Sequence, residues 1–223
     1  MFRDRADAAL RLAEGLRGRD LYDPLVLAIP RGGVVTGAVL AEELDADLDV
    51  VLSRKLRAPG QLELAIGAIG EDGDVHLNSD VLDYVTLPDE YLASERAQQI
   101  EEISRRQELY RRIQRQAPVG GRSVIVTDDG IATGATMIAA LQTIRSRYPK
   151  ELIAAVPVAP ASNLNEIKRY CDEVVCLIPS EHFWAVGQFY QHFEPVDDEQ
   201  IVRLLRQRKQ VRRQKHVNGT TLS

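Results

Sequence analysis

Short apolar segments alternate with longer amphipathic segments along the chain. This alternation predicts an α/β protein built on a parallel sheet. The apolar runs show no regular polar alternation, as is typical of strands covered by helices on both faces. We predict five such strands, over residues 25–29, 48–53, 123–127, 152–158 and 173–178.

The segments between these strands have the hydrophobic spacing of helices. They cover residues 3–16, 33–44, 88–115, 133–147 and 163–170, with a last helix from 198 toward 214. Residues 57–87 differ, because glycines alternate there with apolar residues, which predicts a small antiparallel insertion. We therefore expect one domain over residues 1–223, with helices on both faces of a five-stranded parallel sheet.

The most informative segment follows the third predicted strand. That strand ends at two adjacent acids, Asp128 and Asp129, and a loop of small residues leads into the next helix. Two glycines four residues apart let backbone amides turn toward an anion, which the first helical turn can also hold. The loop consists of Gly130, Ile131, Ala132, Thr133, Gly134, Ala135 and Thr136.

The chemistry of this segment favours a phosphorylated sugar as the ligand. The hydroxyls of Thr133 and Thr136 add donors for a phosphate. Asp128 and Asp129 repel a bare phosphate, so we expect them to bind a diol, or a metal-bound diol, beside it. The alternative is a strand-to-helix turn that is merely capped by Asp and Thr.

Two further segments place glycine or positive charge at the ends of predicted strands. Arg31, Gly32 and Gly33 follow the first strand, where the glycines allow an anion to approach the backbone. Arg54 and Lys55 follow the second strand, at the edge of the sheet where α/β proteins bind ligands. A plain turn and ordinary exposed basic residues are the alternatives.

The paired acids and the Thr-Gly-x-Thr loop resemble the signature of the type I phosphoribosyltransferases, which use 5-phosphoribosyl 1-pyrophosphate (PRPP). The resemblance implies that Asp128 and Asp129 bind the ribose hydroxyls and that residues 130–136 bind the 5′-phosphate. It implies that Arg31, Gly32, Gly33, Arg54 and Lys55 bind the pyrophosphate, with a cis peptide bond entering Arg31. Asp128, Asp129, Arg54 and Lys55 are the candidate catalytic residues.

The same resemblance implies a cofactor, a lid and a dimer. Mg²⁺ is expected to be held mainly through PRPP, near Asp128 and Asp129. Residues 56–73, which overlap the insertion at 57–87, correspond to a mobile loop that closes over PRPP, with a surface hairpin as the alternative. A homodimer is expected, and arginines of the charged helix 88–115 either form a solvated face or reach a pyrophosphate across the subunit interface.

The acceptor side is predicted around the last strand. Residues 179–197, with the N-terminal segment, resemble a hood in which Phe183 or Trp184 stacks on a nucleobase; ordinary core packing is the alternative. The acid that 6-oxopurine enzymes carry is replaced by Ala132, and their lysine is absent from residues 159–162. The pattern is closer to the adenine type.

These features predict a magnesium-dependent phosphoribosyltransferase of nucleotide salvage, which moves the phosphoribosyl group of PRPP to a nitrogen acceptor, a nucleobase, and releases pyrophosphate. One alternative is a non-catalytic regulator that senses PRPP or a nucleotide. A sugar-phosphate hydrolase or lyase is another.

Composition limits the partners and the compartment. The chain has 223 residues and a net charge of −5, which argues against general nucleic-acid binding, although residues 203–215 are basic. That basic stretch is interpreted as a C-terminal helix and tail over residues 198–223, with an RNA-binding tail as the alternative. Neither a membrane span of roughly 20 apolar residues nor a signal peptide is evident. Cys171 and Cys176 match no redox or zinc spacing, so we expect a cytoplasmic protein with reduced cysteines.

Overall fold

The computed structural model describes residues 1–82, 84–85 and 87–219. The last residues of the predicted tail, 220–223, and two positions of the insertion, 83 and 86, lie outside this part. In chain order the elements are α1 (Arg5–Leu16), β1 (Leu25–Ala28), α2 (Gly33–Glu43), β2 (Asp47–Val50), β3 (Ser53–Ala58), β4 (Gln61–Gly70), β5 (Val75–Leu77), α3 (Ser79–Leu82), α4 (Asp89–Arg111), β6 (Ser123–Thr127), α5 (Ala135–Arg145), β7 (Glu151–Pro160), α6 (Ala161–Ile167), β8 (Glu173–Ser180) and α7 (Asp198–Gly219).

The main sheet has five strands in the order β2-β1-β6-β7-β8, and every neighbouring pair is parallel. All residues of β1 and β6 are buried, as expected for strands with both faces covered. The predicted fold class is confirmed.

Two hydrophobic clusters lie on the opposite faces of this sheet. On one face, Val26 of β1 belongs to a cluster that includes Leu40 of α2 and Ile201 of α7. On the other face, Leu27 of β1 belongs to a cluster that includes Leu141 of α5. Adjacent residues of one strand point to opposite faces, which explains why a continuous apolar run is required. None of the helices in the described ranges has both the length and the apolar character that crossing a membrane requires.

The insertion forms a second sheet, in which β3, β4 and β5 are antiparallel. The predicted antiparallel pairing is therefore confirmed. Leu56 and Ile66 are fully buried in the same cluster as α2, so the base of this sheet belongs to the core. A closing motion of its outer turn, near Gly60, stays a prediction.

The predicted second strand, residues 48–53, is wrong in its extent. β2 ends at Val50, and the chain leaves the parallel sheet before Ser53 begins β3. Val51 and Leu52 are buried in the link between the two sheets, so the apolar run continues across the change of sheet. Arg54 and Lys55 therefore lie within β3, and do not follow a strand of the parallel sheet as predicted.

The N-terminal segment packs against the region after β8. The backbone N–H of Phe2 donates to the carbonyl of Phe189 at 2.7 Å, and the rings of Phe2 and Tyr190 lie 5.4 Å apart. Both aromatic residues cluster with Val158 of β7. This cluster lies beside the carboxyl end of the parallel sheet.

Candidate active site

A crevice is expected between β1 and β6. These strands are neighbours, with Leu25 paired to Val124 and Ala28 paired to Thr127. The chain leaves β1 toward β2 on one side of the sheet and leaves β6 toward β7 on the other. Such a topological switch point is where open α/β sheets bind ligands, outside the carboxyl ends of the strands.

The two glycine-containing turns predicted from sequence meet at this crevice. A Cβ atom on Gly32 would lie 1.9 Å from Oδ2 of Asp129, and one on Gly33 would lie 2.8 Å from the Cα of Asp128. The turn after β1 and the acids after β6 can touch only because neither glycine carries a side chain. The peptide bond between Pro30 and Arg31 is cis, as the resemblance predicted.

The loop after the acids ends in an open helix N-terminus. Gly134 has a φ of 85°, a left-handed conformation that favours glycine, and α5 begins at the next residue. The first amides of a helix have no acceptor within it, and the side chains of Thr133 and Thr136 are exposed beside them. This arrangement suits an anion such as a phosphate. That the 5′-phosphate binds here stays a prediction.

A positively charged cavity of about 520 Å³ adjoins this loop. Thr133 and Thr136 line one wall. Among the described residues of its lining, one carboxylate faces four cationic side chains from β3 and α4. The carboxylate is that of Glu102, and the cationic residues are Arg54, Lys55, Arg57 and Arg106.

The lining differs from the sequence prediction at three basic residues. Arg106 comes from α4 of the same chain, without a subunit interface, and Arg57 was not predicted as a site residue. Arg31 is absent from the described lining, and its Nε lies 3.7 Å from Oδ1 of Asp198. The structure thus brings Arg54 and Lys55 together with the threonine loop, and Arg31 directly follows Pro30, which also lines the cavity.

A hydrogen-bonded chain on α4 orients the arginines of β3. Nε of Arg54 donates to Gln99 at 3.1 Å, and the Gln99 amide donates to Glu95 at 3.2 Å. Glu95 also accepts from Nε and Nη2 of Arg57, at 2.7 and 2.9 Å. Burial raises the pKa of Glu95, but these hydrogen bonds outweigh it and the pKa lies below its usual value. Glu95 is therefore a carboxylate at neutral pH.

The two acids have different surroundings. Oδ2 of Asp129 lies 2.7 Å from Nε of Arg5, and its carbonyl accepts a hydrogen bond from the hydroxyl of Tyr190 at 2.5 Å. Asp128 accepts from the backbone N–H of Asp129 at 2.8 Å. Burial and then the charge of Asp129 hold the pKa of Asp128 well above its usual value.

The acids fit Mg²⁺ only in combination with a ligand. A cation would stabilise the charged form of Asp128, whose pKa is raised. In the part of the chain that the structure describes, no three acids, histidines or cysteines cluster as a complete metal site. Mg²⁺ commonly takes one or two carboxylates and completes its octahedron with water and substrate phosphates. Asp128 and Asp129 suit that partial role.

A second cleft, of about 610 Å³, lies on the other side of the threonine loop. Phe183 and Trp184 both line it. Phe183 packs against Phe189 with ring centroids 5.5 Å apart, whereas Trp184 is 90% exposed. Of the two predicted aromatic residues, only Trp184 presents a largely uncovered ring.

Comparison with known proteins relates this chain to phosphoribosyl transferases. Residues 3–194 match the family model of the phosphoribosyl transferase domain. Two Mycobacterium tuberculosis proteins, provisionally named phosphoribosyl transferases Rv0571c and MT0597, are each 42% identical over 205 residues. Those matches cover 92% of this chain and 46% of each relative, so the chain spans about half their length.

A solved structure is similar over almost its whole length. The protein TT1426 of Thermus thermophilus is 42% identical, with a TM-score of 0.88, and the match covers 92% of this chain and 98% of that one. The matched family domain includes both glycine-containing turns, the acids and β3. This chain therefore belongs to the phosphoribosyltransferase family, with the α/β fold of its type I members.

Proposed function

We propose that this protein binds PRPP with Mg²⁺ and transfers its phosphoribosyl group to a nitrogen of a nucleobase, with release of pyrophosphate. The observation that carries the proposal is the contact of Gly32 and Gly33 with Asp129 and Asp128. It brings a turn suited to an anion against a pair of acids suited to a diol. The cationic cavity beside the threonine loop supports it.

Each part of PRPP has a matching group. The 5′-phosphate would accept hydrogen bonds from the first amides of α5 and from Thr133 and Thr136. The ribose hydroxyls would donate to Asp128 and Asp129. The pyrophosphate would bind the Gly32-Gly33 turn and the basic groups, which are Arg31 and the cationic residues of the cavity.

These groups also suit the chemistry of the transfer. Positive charge grows on the ribose as its bond to pyrophosphate lengthens, and the nearby carboxylates of Asp128 and Asp129 would stabilise it. Arg54 and Lys55 would stabilise the departing anion. Mg²⁺, when bound, would neutralise further negative charge on the pyrophosphate.

The second cleft favours an acceptor that donates hydrogen bonds. Its described lining includes Glu181 and Asn163 but no cationic side chain. The Asn163 amide is committed to the carbonyl of Ala132, at 2.8 Å. The carboxylate of Glu181 would bind N–H groups, and the ring of Trp184 would stack on a base. We therefore propose an amino-bearing nucleobase, which would place the reaction in nucleotide salvage.

Calorimetric titration with PRPP tests the binding half of this proposal. PRPP is expected to bind in the presence of Mg²⁺ and more weakly in its absence, with ribose 5-phosphate as a control that lacks pyrophosphate. Nucleobases are then screened for pyrophosphate release. If PRPP binds but no base tested leads to pyrophosphate release, the non-catalytic regulator is favoured. Absence of PRPP binding would refute the proposal.

Trp184→Leu is expected to weaken acceptor binding without affecting PRPP. Loss of a base–aromatic stack costs about 1–3 kcal/mol, which corresponds to a rise in the acceptor KM of about five- to 150-fold. Because the ring is exposed, the melting temperature should stay unchanged. Phe183→Leu is the contrast, since it should lower the melting temperature through lost packing against Phe189. Equal loss of PRPP and acceptor binding in Trp184→Leu would exclude a stacking role.

A further inference from the structure

Arg5, the first residue of α1, reaches the second acid of the site. Its Nε lies 2.7 Å from Oδ2 of Asp129, and the two side chains are only 11% and 13% exposed. The contact spans 124 residues of sequence. Exposed ion pairs contribute little, but this one lies largely out of solvent, where such pairs are less screened.

The guanidinium of Arg5 is held on its other sides. Its central carbon lies 3.8 Å from the centroid of the Phe193 ring, a cation–π contact. Its Nη1 donates to the carbonyl of Glu194 at 2.8 Å. The flat face of the guanidinium stacks on the Phe193 ring, and its N–H groups bind Asp129 and the carbonyl of Glu194. Arg5 is therefore fixed relative to the segment that follows β8.

Asp129 is held by the same segment. The hydroxyl of Tyr190 donates to its backbone carbonyl at 2.5 Å, and the Tyr190 ring stacks on Phe193 at 4.9 Å. The carboxylate oxygen that pairs with Arg5, Oδ2, also lies against Gly32. Contacts distant in sequence, from α1 and from Tyr190, thus fix both the backbone and the side chain of Asp129.

We propose that Arg5 is a positioning residue that sets the direction of the Asp129 carboxylate for the sugar of PRPP. This inference rests on the proposed function. Without Arg5, the carboxylate would be free to turn away from the crevice, and its charge beside Asp128 would be uncompensated. α1 would thereby contribute to sugar binding although Arg5 itself contacts the acid and not the ligand.

The test compares PRPP with pyrophosphate as ligands of Arg5 variants. In Arg5→Gln, calorimetry with Mg²⁺ should show PRPP affinity lowered about tenfold, whereas pyrophosphate, which lacks the sugar, should bind as it does to the parent. Arg5→Lys keeps the positive charge but loses the planar set of N–H donors, so we expect a folded protein in which PRPP affinity is partly restored. Arg11→Gln is the matched control, because Arg11 also lies on α1, pairs with Asp7 at 2.9 Å and lies 5.5 Å from the Phe2 ring.

The possible results separate this inference from the proposed function. If the parent binds PRPP and Arg5→Gln binds it equally well, the positioning role is wrong and the proposed function stands. Equal losses for PRPP and pyrophosphate, with a lower melting temperature, would make Arg5 only a support of the fold. If the parent does not bind PRPP, the proposed function fails and the inference fails with it.

Discussion

Asp128→Asn is expected to lower magnesium-dependent PRPP affinity by at least about a hundredfold, or roughly 2.7 kcal/mol. The substitution replaces one of the two acceptor oxygens of the carboxylate by an NH2 donor and removes one of the two charges that favour a cation. A hydrogen bond to a charged group contributes about 1.5–3 kcal/mol, so losing it together with the attraction to the cation accounts for a hundredfold loss of affinity. Calorimetry with PRPP and Mg²⁺ measures it.

The melting temperature of this variant without ligand should not fall. A carboxyl whose pKa is higher in the folded chain stabilises the fold most at low pH and loses that contribution as pH rises through the folded pKa. At neutral pH, Asn at position 128 should therefore leave the melting temperature equal or higher. Asp20→Asn, at an exposed position away from the crevice, is the control and should change neither quantity. Undiminished PRPP binding by Asp128→Asn would contradict the assigned role of the acid.

Gly32→Ala is expected to abolish measurable PRPP binding. The added methyl would lie 1.9 Å from Oδ2 of Asp129 and 3.2 Å from Nε of Arg5, so the acid or the turn must move. Gly32 has φ −56° and ψ −39°, which alanine adopts readily, so the effect arises from the contact and not from the backbone. Overpacking of this kind also costs about 1–3 kcal/mol of stability, measurable by denaturant unfolding.

Gly15→Ala is the matched control for this substitution. Gly15 lies inside α1, and a Cβ there would meet its nearest neighbour, Val175, at 3.8 Å, an ordinary contact. Alanine in a helix interior is more stable than glycine by about 0.5–1 kcal/mol, so this variant should gain stability and keep PRPP binding. Normal PRPP binding by Gly32→Ala would show that the contact between the two turns is not needed.

The parallel sheet and the glycine turns were predictable because each depends on a local pattern. A strand buried on both faces needs a continuous apolar run, which residues 123–127 and 152–158 show. The paired acids and the threonine loop occupy one short segment. The structure confirms the strands that carry them, while the ligands assigned to these residues stay predictions.

The break between β2 and β3 could not be located from the same pattern. Apolar residues continue through Val51 and Leu52, which are buried although they belong to neither strand. Hydrophobicity reports burial and does not report which sheet a residue joins. The end of α4 was also predicted too late. The helix ends at Arg111, whereas the sequence pattern predicted that it continues to residue 115.

Arg5 and Arg106 could not be assigned because no local signal marks them. Both lie on helices rich in charged residues, where an arginine is usually solvated. Only the packing of α1 on the parallel sheet and of α4 on the second sheet places the first beside Asp129 and the second in the cationic cavity. The predicted homodimer is not needed to bring Arg106 to that cavity.

The position of the site between β1 and β6 has a consequence for folding. The insertion, α3 and α4 all lie between these strands in sequence, so pairing Leu25 with Val124 closes a long loop. Loop closure costs entropy before contacts compensate it, and such non-local pairings slow folding. Neither half of the chain contains both turns. During refolding, recovery of PRPP binding would therefore report closure of the whole sheet and follow the recovery of helical signal.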